Sequence, residues 1–363
     1  MNFVSRFVKV KDNRILFETF KGEVKDHPYF VYKYLVDNNI HDFDIKWCIT
    51  KGNDVSRIKK SEIVYKKTLS YYYLLMTSKY WIRTHSIETI VNKKDNQVYI
   101  QMWHGPGCTK KEGFDTLPES ERIGVIPHAK EWDYYIATDE ASKEYIKTAT
   151  GFNKTIVMIG NSRTDYLMQA TPTHINRLKE KYKIKENEKV ILYAPTFRES
   201  DIESEVVHMK IHKICKLDNV RVILRLHPLL SDKIDLSEYG DNIIDGNKVA
   251  QITDLYLISD LMITDYSSVA FDYLTLNKPI IFYCYDIKLY QKERGFYFDY
   301  LNNLGGPLVE YEDDLVDCIL RSDKLMDEYR IEYEKYKDFY NSTLNDGRVC
   351  ERFVKMLREG DFV

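Results

Sequence analysis

The segment Leu261-Met262-Ile263-Thr264-Asp265-Tyr266-Ser267-Ser268-Val269-Ala270-Phe271-Asp272 decides how the rest of the chain is read. An apolar strand pattern runs into a turn of hydroxyls and carboxylates, and Val269, Phe271, Tyr273 and Leu274 then open a helix. The start of a helix leaves backbone N–H groups unpaired, and its dipole favours negative charge there, so the turn reads as a seat for phosphate. The same residue types also suit ordinary helix capping, and this segment alone leaves both readings open.

Working outward, the same strand-then-helix alternation recurs on both sides. Lys189–Ala194, Val220–Leu226, Leu261–Thr264 and Pro279–Tyr283 are expected strands of one series. Ile15–Phe20, Phe43–Ile49, Tyr80–Thr84, Val98–Trp103, Tyr134–Ala137 and Thr155–Ile159 form another, with helices expected at Tyr29–Asp37, Leu69–Ser78 and Glu140–Thr148. Such alternation predicts an α/β protein with two Rossmann-like domains, each built on a parallel sheet. The stretch Gln169-Ala170-Thr171-Pro172-Thr173, followed by a helical pattern over Ile175–Tyr182, puts the boundary near residue 170. The expected domains are therefore 1–170 and 171–363, with charged terminal helices in Asp313–Leu357 that can pack back on the first domain.

Composition narrows the function classes. The chain has 363 residues, 44% hydrophobic and 30% charged, which suits two domains with sizeable cores. Its formal net charge of −3 supplies no overall basic field, so nucleic acid is not an expected partner. The six cysteines show neither a CxxC pair nor a compact disulfide spacing, and they read as reduced thiols of a cytoplasmic protein. No zinc-ligand or HExxH spacing occurs, so a catalytic metal is not implied. Met1 to Asn13 does not read as a secretory signal, and no apolar run is long enough to predict a transmembrane helix.

Ligands of doubly wound sheets bind beyond the carboxyl ends of the strands, and each expected strand here ends in chemistry-bearing residues. His104 precedes Gly105-Pro106-Gly107, a backbone that can continue neither strand nor helix, so its imidazole is presented at a sharp turn. It suits a proton acceptor near neutral pH, and equally a structural histidine bonded to a loop. Arg225 and His227 lie two apart, on one face of a strand, and Arg198 follows Pro195-Thr196. These arginines can close surface ion pairs, and His227 can pack on Pro228. Collected at neighbouring strand ends with hydroxyls, however, guanidinium groups match the oxygens of a diphosphate.

Five ordered motifs carry a resemblance across nearly the whole chain. They are Trp103-His104-Gly105 with Lys110-Lys111 and Gly113-Phe114-Asp115, then Gly160 with Arg163 and Asp165, Ala194-Pro195-Thr196-Phe197-Arg198, Arg225-Leu226-His227-Pro228, and the run from Ile263 to Tyr283. This set resembles the CDP-glycerol glycerophosphotransferases, the teichoic-acid primases and polymerases. The resemblance implies a GT-B fold with the active site in the cleft between its two domains. It also implies transfer of glycerol phosphate, or ribitol phosphate in some members, from a CDP-activated donor to an acceptor hydroxyl, with release of CMP and no metal or other cofactor.

Carried over by motif, His104 would be the general base, and Trp103 and Gly105 beside it would belong to the donor-binding residues. His227 with Arg225 would hold the donor's phosphates and offset charge on the leaving CMP. Ser267 and Ser268 would bind diphosphate oxygens, and Asp272 would contact the polyol or fix the loop. Arg163, Pro195, Thr196 and Arg198 would complete the donor pocket. Two departures bear on the acceptor more than on the reaction: Pro106-Gly107-Cys108 stands where the family usually has Thr-Pro-Leu, and Ser162-Arg163 replaces its Pro-Arg.

The implied acceptor is a polyprenyl-diphosphate-linked saccharide or a growing polyol-phosphate chain at the inner face of the cell membrane. Between Arg57 and Arg83, Lys59, Lys60, Lys66, Lys67 and Lys79 mix with Tyr71, Tyr72, Tyr73, Leu74, Leu75, Tyr80 and Trp81. That mixture suits peripheral contact with an anionic bilayer, but a core helix with a solvated basic flank is the favoured reading. A CDP-ribitol phosphotransferase, a nucleotide-sugar glycosyltransferase or epimerase of the same fold, and a non-catalytic CDP-glycerol-binding protein are the competing expectations.

Overall fold

The computed structural model describes residues 5–85, 90–105, 109–118, 127–196, 198, 212–226, 235–340 and 343–362. The chain divides into two compact units. The first comprises the chain up to Gly105, then Glu112–Asp165 and Leu344 onward; the second comprises Tyr166–Thr343 together with Thr109–Lys111.

The first unit is built on strands β1 (Lys11–Glu18), β2 (Asp44–Ile49), β3 (Ile63–Tyr65), β4 (Ser78–Arg83), β5 (Val98–Gln101), β6 (Tyr134–Ala137) and β7 (Thr155–Met158). All are parallel, in the order β3-β2-β1-β4-β5-β6-β7. Helices cover both faces of such a sheet, so its central strands bury successive residues instead of alternating ones. Ile15, Leu16 and Phe17 accordingly show no exposed surface, and neither do Trp81 and Ile82 beside them.

The C-terminal helix Val349–Glu359 belongs to this first unit, burying Val349, Cys350, Phe353, Val354 and Leu357 along one face. The Tyr80 hydroxyl donates to the Leu357 carbonyl at 2.9 Å. At the other end of the helix, the Asp165 carboxylate accepts the Val349 and Cys350 N–H groups at 3.0 and 2.7 Å. This gives the last residue of the Gly160-to-Asp165 motif its task, because a carboxylate is favoured where a helix exposes unpaired N–H groups. Gly160 has φ +93, and a Cβ there would meet the Leu344 carbonyl and the Asn345 side chain at 2.9 Å, so only glycine fits the approach.

The second unit repeats the plan with β8 (Lys189–Ala194), β9 (Val220–Leu224), β10 (Ile243–Asp245), β11 (Leu261–Thr264), β12 (Ile280–Tyr283) and β13 (Leu308–Val309). Their order is β10-β9-β8-β11-β12-β13, again wholly parallel. In both sheets the strand order reverses once, between β1 and β4 and between β8 and β11. Adjacent crossovers diverge at such a point, leaving room for a ligand at the carboxyl ends. Glu18 and Arg83 flank the first reversal; Ala194-Pro195-Thr196 and Thr264-Asp265 flank the second.

Candidate active site

In the first unit the strand geometry ends abruptly after β5. Trp103 adopts φ +53, which no strand accommodates, and its N–H donates to the Gln101 side chain at 3.0 Å. The turn throws His104 outward, where its ring is exposed and stacks on Trp103 at 4.8 Å, which itself packs against Trp132 at 6.0 Å. The imidazole Nδ1 lies 3.3 Å from the Thr84 carbonyl. A carbonyl only accepts, so Nδ1 carries the proton and donates it, leaving the lone pair on Nε2.

The backbone beneath His104 is clamped as well. Its carbonyl accepts from Arg163 Nη2 at 2.6 Å, and the same nitrogen pairs with Asp26 at 3.0 Å. Arg163, expected in the donor pocket, is thus placed in the unit that carries His104, with its side chain buried and committed to that turn. Gly105 is buried directly after the histidine.

Several charged groups at the same sheet edge escaped sequence reading. Glu18 and Arg83, both fully buried, pair at 3.0 Å, and Glu18 also meets Lys66 at 2.6 Å and accepts from the Tyr71 hydroxyl at 3.4 Å. The Arg83 guanidinium lies 4.9 Å from the Trp81 ring and 5.1 Å from that of Tyr99. The available signal was a charge closing each of two apolar strands, Ile15-Leu16-Phe17-Glu18 and Trp81-Ile82-Arg83. A buried ion pair at a sheet's reversal fixes a strong local field at the carboxyl ends of these strands.

Two further histidines are held neutral here. Burial, then the charges of Arg163 and His104, push His27 well below its ordinary value, and its Nδ1 lies 2.9 Å from the Ser162 hydroxyl. Burial also brings His85 down to about 4, with Lys66, Arg83 and His104 adding to the effect and Glu18 opposing it. Below pH 6.5 the unfolded chain therefore binds more protons than the folded one, so stability is complete above that pH and falls as pH drops towards about 4. For fully buried His27 the loss approaches about 1.4 kcal/mol per pH unit. The melting temperature should fall between pH 7.5 and 5.5, and His27→Gln should flatten that fall; an unchanged slope in the variant would refute the assignment.

In the second unit the opening segment folds as strand, turn and the short helix Val269–Tyr273. Ser268 occupies the N-cap position, yet its hydroxyl makes no capping bond, while Val269 N–H reaches the Ser267 hydroxyl only at 3.5 Å. Both serines are half-buried. Capping therefore does not account for them. Asp272 is fully buried, and its carboxylate accepts from Tyr256 at 3.5 Å, which ties it to the interior of this unit.

Across the reversal, Pro195 is half-buried and Thr196 is buried; the Thr196 Oγ1 has no hydrogen-bond partner among the described residues. The Thr196 N–H donates to Asp265 Oδ1 at 2.8 Å. Arg198 spans this turn: Nη1 donates to Asp265 at 2.7 Å and to the Thr196 carbonyl at 2.8 Å, and Nη2 donates to Asp286 at 2.8 Å. The Tyr285 and Tyr266 rings flank it at 4.6 and 5.2 Å. Burial alone would raise Asp286, but its bond to Arg198 holds the carboxyl below the usual range. Arg225 Nη1 donates to the Gly246 and Val249 carbonyls at 2.6 and 2.7 Å, bracing the adjacent loop. His227 lies outside the described residues. After His104, Thr109–Lys111 joins the second unit, where Lys111 N–H donates to Gly295 and Thr109 accepts from Tyr297, both at 3.1 Å.

Known proteins share this pattern. Residues 1–359 match the family model described as CDP-glycerol:poly(glycerophosphate) glycerophosphotransferase. A teichoic acid poly(glycerol phosphate) polymerase of Bacillus spizizenii is 32% identical over 326 residues, covering 84% of this chain and 82% of the relative. A teichoic acid glycerol-phosphate transferase of Staphylococcus aureus is 31% identical, covering 95% of this chain and 92% of the relative. Among solved structures, the wall teichoic acid polymerase TagF superposes with a TM-score of 0.84 at 28% identity, covering 97% of this chain and 90% of that one.

Proposed function

Because the chain belongs to the CDP-glycerol:poly(glycerophosphate) glycerophosphotransferase family, we propose that His104 is its general base and that the carboxyl ends of the second sheet bind the donor's phosphates. The enzyme transfers glycerol phosphate from CDP-glycerol to a hydroxyl and releases CMP. The acceptor oxygen forms a bond to the phosphorus bearing glycerol as the P–O bond to the CMP phosphate breaks. His104 Nε2 takes the hydroxyl proton, and the electron pair of the broken bond leaves on CMP.

One observation carries the assignment: an exposed imidazole whose Nδ1 faces a carbonyl, so that Nε2 is left as the proton acceptor, on a backbone fixed by Arg163. Positioning and electrostatics supply most of such a reaction, and a fixed tautomer belongs to that positioning. In the second unit, the uncapped Ser267 and Ser268 hydroxyls and Thr196 Oγ1 are the groups assigned to diphosphate oxygens. Arg198, whose donors are committed to protein carboxylates and a carbonyl, and Arg225, whose Nη1 donates to loop carbonyls, are assigned to shaping these turns. His227 keeps its motif-based role beside the leaving phosphate. Asp272, being buried, fixes the helix.

The proposed acceptor is a lipid-linked saccharide or polyol-phosphate chain at the membrane's inner face. No helix among the described residues is long and apolar enough to cross a membrane. In the basic aromatic segment, Tyr71, Tyr80 and Trp81 are core residues, whereas Leu69 is 85% and Tyr73 51% exposed, and Lys59, Lys60 and Lys67 of the same segment are exposed too. That exposed group supports peripheral contact with anionic lipid.

The test supplies CDP-glycerol or CDP-ribitol together with a lipid-linked disaccharide in anionic vesicles, and quantifies CMP and product mass. CDP-glycerol should add glycerol phosphate at least about tenfold faster than CDP-ribitol adds its own unit. The reverse preference would overturn the donor assignment, and no mass gain would overturn the acceptor. A rate that high salt leaves unchanged would remove the membrane contact.

A further inference from the structure

Away from the strand ends, the second unit holds a cavity of about 350 Å³ whose chemistry the transfer reaction does not use. The helix Arg330–Tyr340 forms one wall, and the segment from Phe298 to Leu304 forms the other. Phe298, Tyr336 and Phe339 supply aromatic surface, with the Phe298 ring 6.1 Å from that of Phe339 and 5.3 Å from that of Tyr340. Phe339 is 54% exposed, an unusual expenditure of apolar surface at a cavity mouth. Tyr336 is held in place from behind, since a Cβ on Gly305 would come within 2.8 Å of its ring.

The polar rim is oriented. Asn302 Nδ2 donates to the Asp299 carboxylate and Asn303 Nδ2 to the Asp299 carbonyl, each at 2.8 Å. Both partners only accept, which fixes the amide orientation and leaves two Oδ1 atoms with no partner among the described residues. Glu332 and Lys335, on the helix, form no salt bridge with a described residue. The rim therefore offers three acceptors and one cationic donor beside flat aromatic faces.

From this arrangement we infer that the cavity is a binding site for a neutral pyranose, a sugar ring whose C–H face lies on Phe339 and Phe298 while its hydroxyls donate to Asn302, Asn303 and Glu332. The volume lies at the small end of ligand pockets, as one or two sugar rings require. A polyol-phosphate segment fits less well: Glu332 cancels Lys335, and Asp299 behind the asparagines adds negative charge, so a phosphate would meet net repulsion. An acyl chain would leave the rim's acceptors without partners. The inference does not depend on the transfer reading, because the site is tested without donor.

The experiment is saturation-transfer NMR on the full chain with methyl β-glucopyranoside and methyl N-acetyl-β-glucosaminide. A glycerol phosphate oligomer and octanoate serve as competing arms. Saturation of ring protons by at least one glycoside is expected, weakened roughly fivefold to tenfold in Phe339→Ala, an exposed position whose loss leaves the fold intact. Lys335→Ala, which removes the cation that the described residues place at the rim, should leave glycoside binding within about twofold. No glycoside signal, a signal insensitive to Phe339→Ala, or binding confined to the phosphate oligomer or octanoate would overturn the inference.

Discussion

Replacing His104 by alanine should lower turnover by about 10²–10⁴-fold, the usual scale for general-base assistance, while affinity for CDP-glycerol should stay within about twofold. The geometry sets both halves of this expectation. Nδ1 is committed to the Thr84 carbonyl and the ring is exposed, so truncation removes a lone pair and a stacked ring without opening the core. The groups assigned to the donor sit on other strand ends, in the second unit, and are untouched. Calorimetric titration of CDP-glycerol into the wild type and the variant, beside CMP release under single-turnover conditions, separates binding from chemistry. Equal losses of affinity and rate would make His104 a donor ligand, and the base would have to be sought elsewhere. His104→Gln supplies a second check, since glutamine keeps a polar side chain at that position but is not basic. If it restores the rate, proton abstraction is not what this residue provides.

The parallel α/β class was legible because central strands of such sheets are continuous apolar runs, and Tyr134–Ala137, Lys189–Ala194 and Leu261–Thr264 fall on the expected residues. Strands β3, β10 and β13 were not read. All three are edge strands of two or three residues, paired on one side only, so little hydrophobic pattern marks them. The expected strand to Trp103 stops at Gln101 because the positive φ of Trp103 ends it, a backbone state that no residue type announces. In the same way the turns that carry His104, Ser267 and Ser268, the nucleus of the proposed site, were visible because their chemistry is local. The partners were not. Arg163 reads as a phosphate ligand until its contacts with Asp26 and the His104 carbonyl are seen, and those partners lie 137 and 59 residues away. Glu18 and Arg83 are brought together only by the reversal of strand order, a property of topology.

Arg198→Met should be the most destabilising of the substitutions considered, by about 3–5 kcal/mol, and its cost should lie in what it leaves behind. In the native chain Nη1, Nη2 and Nε of this buried guanidinium all bond to Asp265, Asp286 or the Thr196 carbonyl, between flanking tyrosine rings. Methionine fills comparable volume but leaves the Asp265 and Asp286 carboxylates without their cationic partner. Adding Asp286→Asn to Arg198→Met removes one stranded charge, and the pair should recover part of the loss, measured as non-additivity in urea denaturation. Arg198→Lys should recover less, because a single ammonium cannot reproduce bonds fanned towards three acceptors. These outcomes also bear on function. If Arg198 acts by shaping the Thr196–Asp265 turn, donor affinity falls in step with the local loss of stability and returns with the compensating pair. If it grips a phosphate directly, affinity stays lost when stability returns, because the second substitution replaces no guanidinium. A loss below about 1 kcal/mol with donor affinity abolished would identify a ligand-facing arginine instead of a clamp.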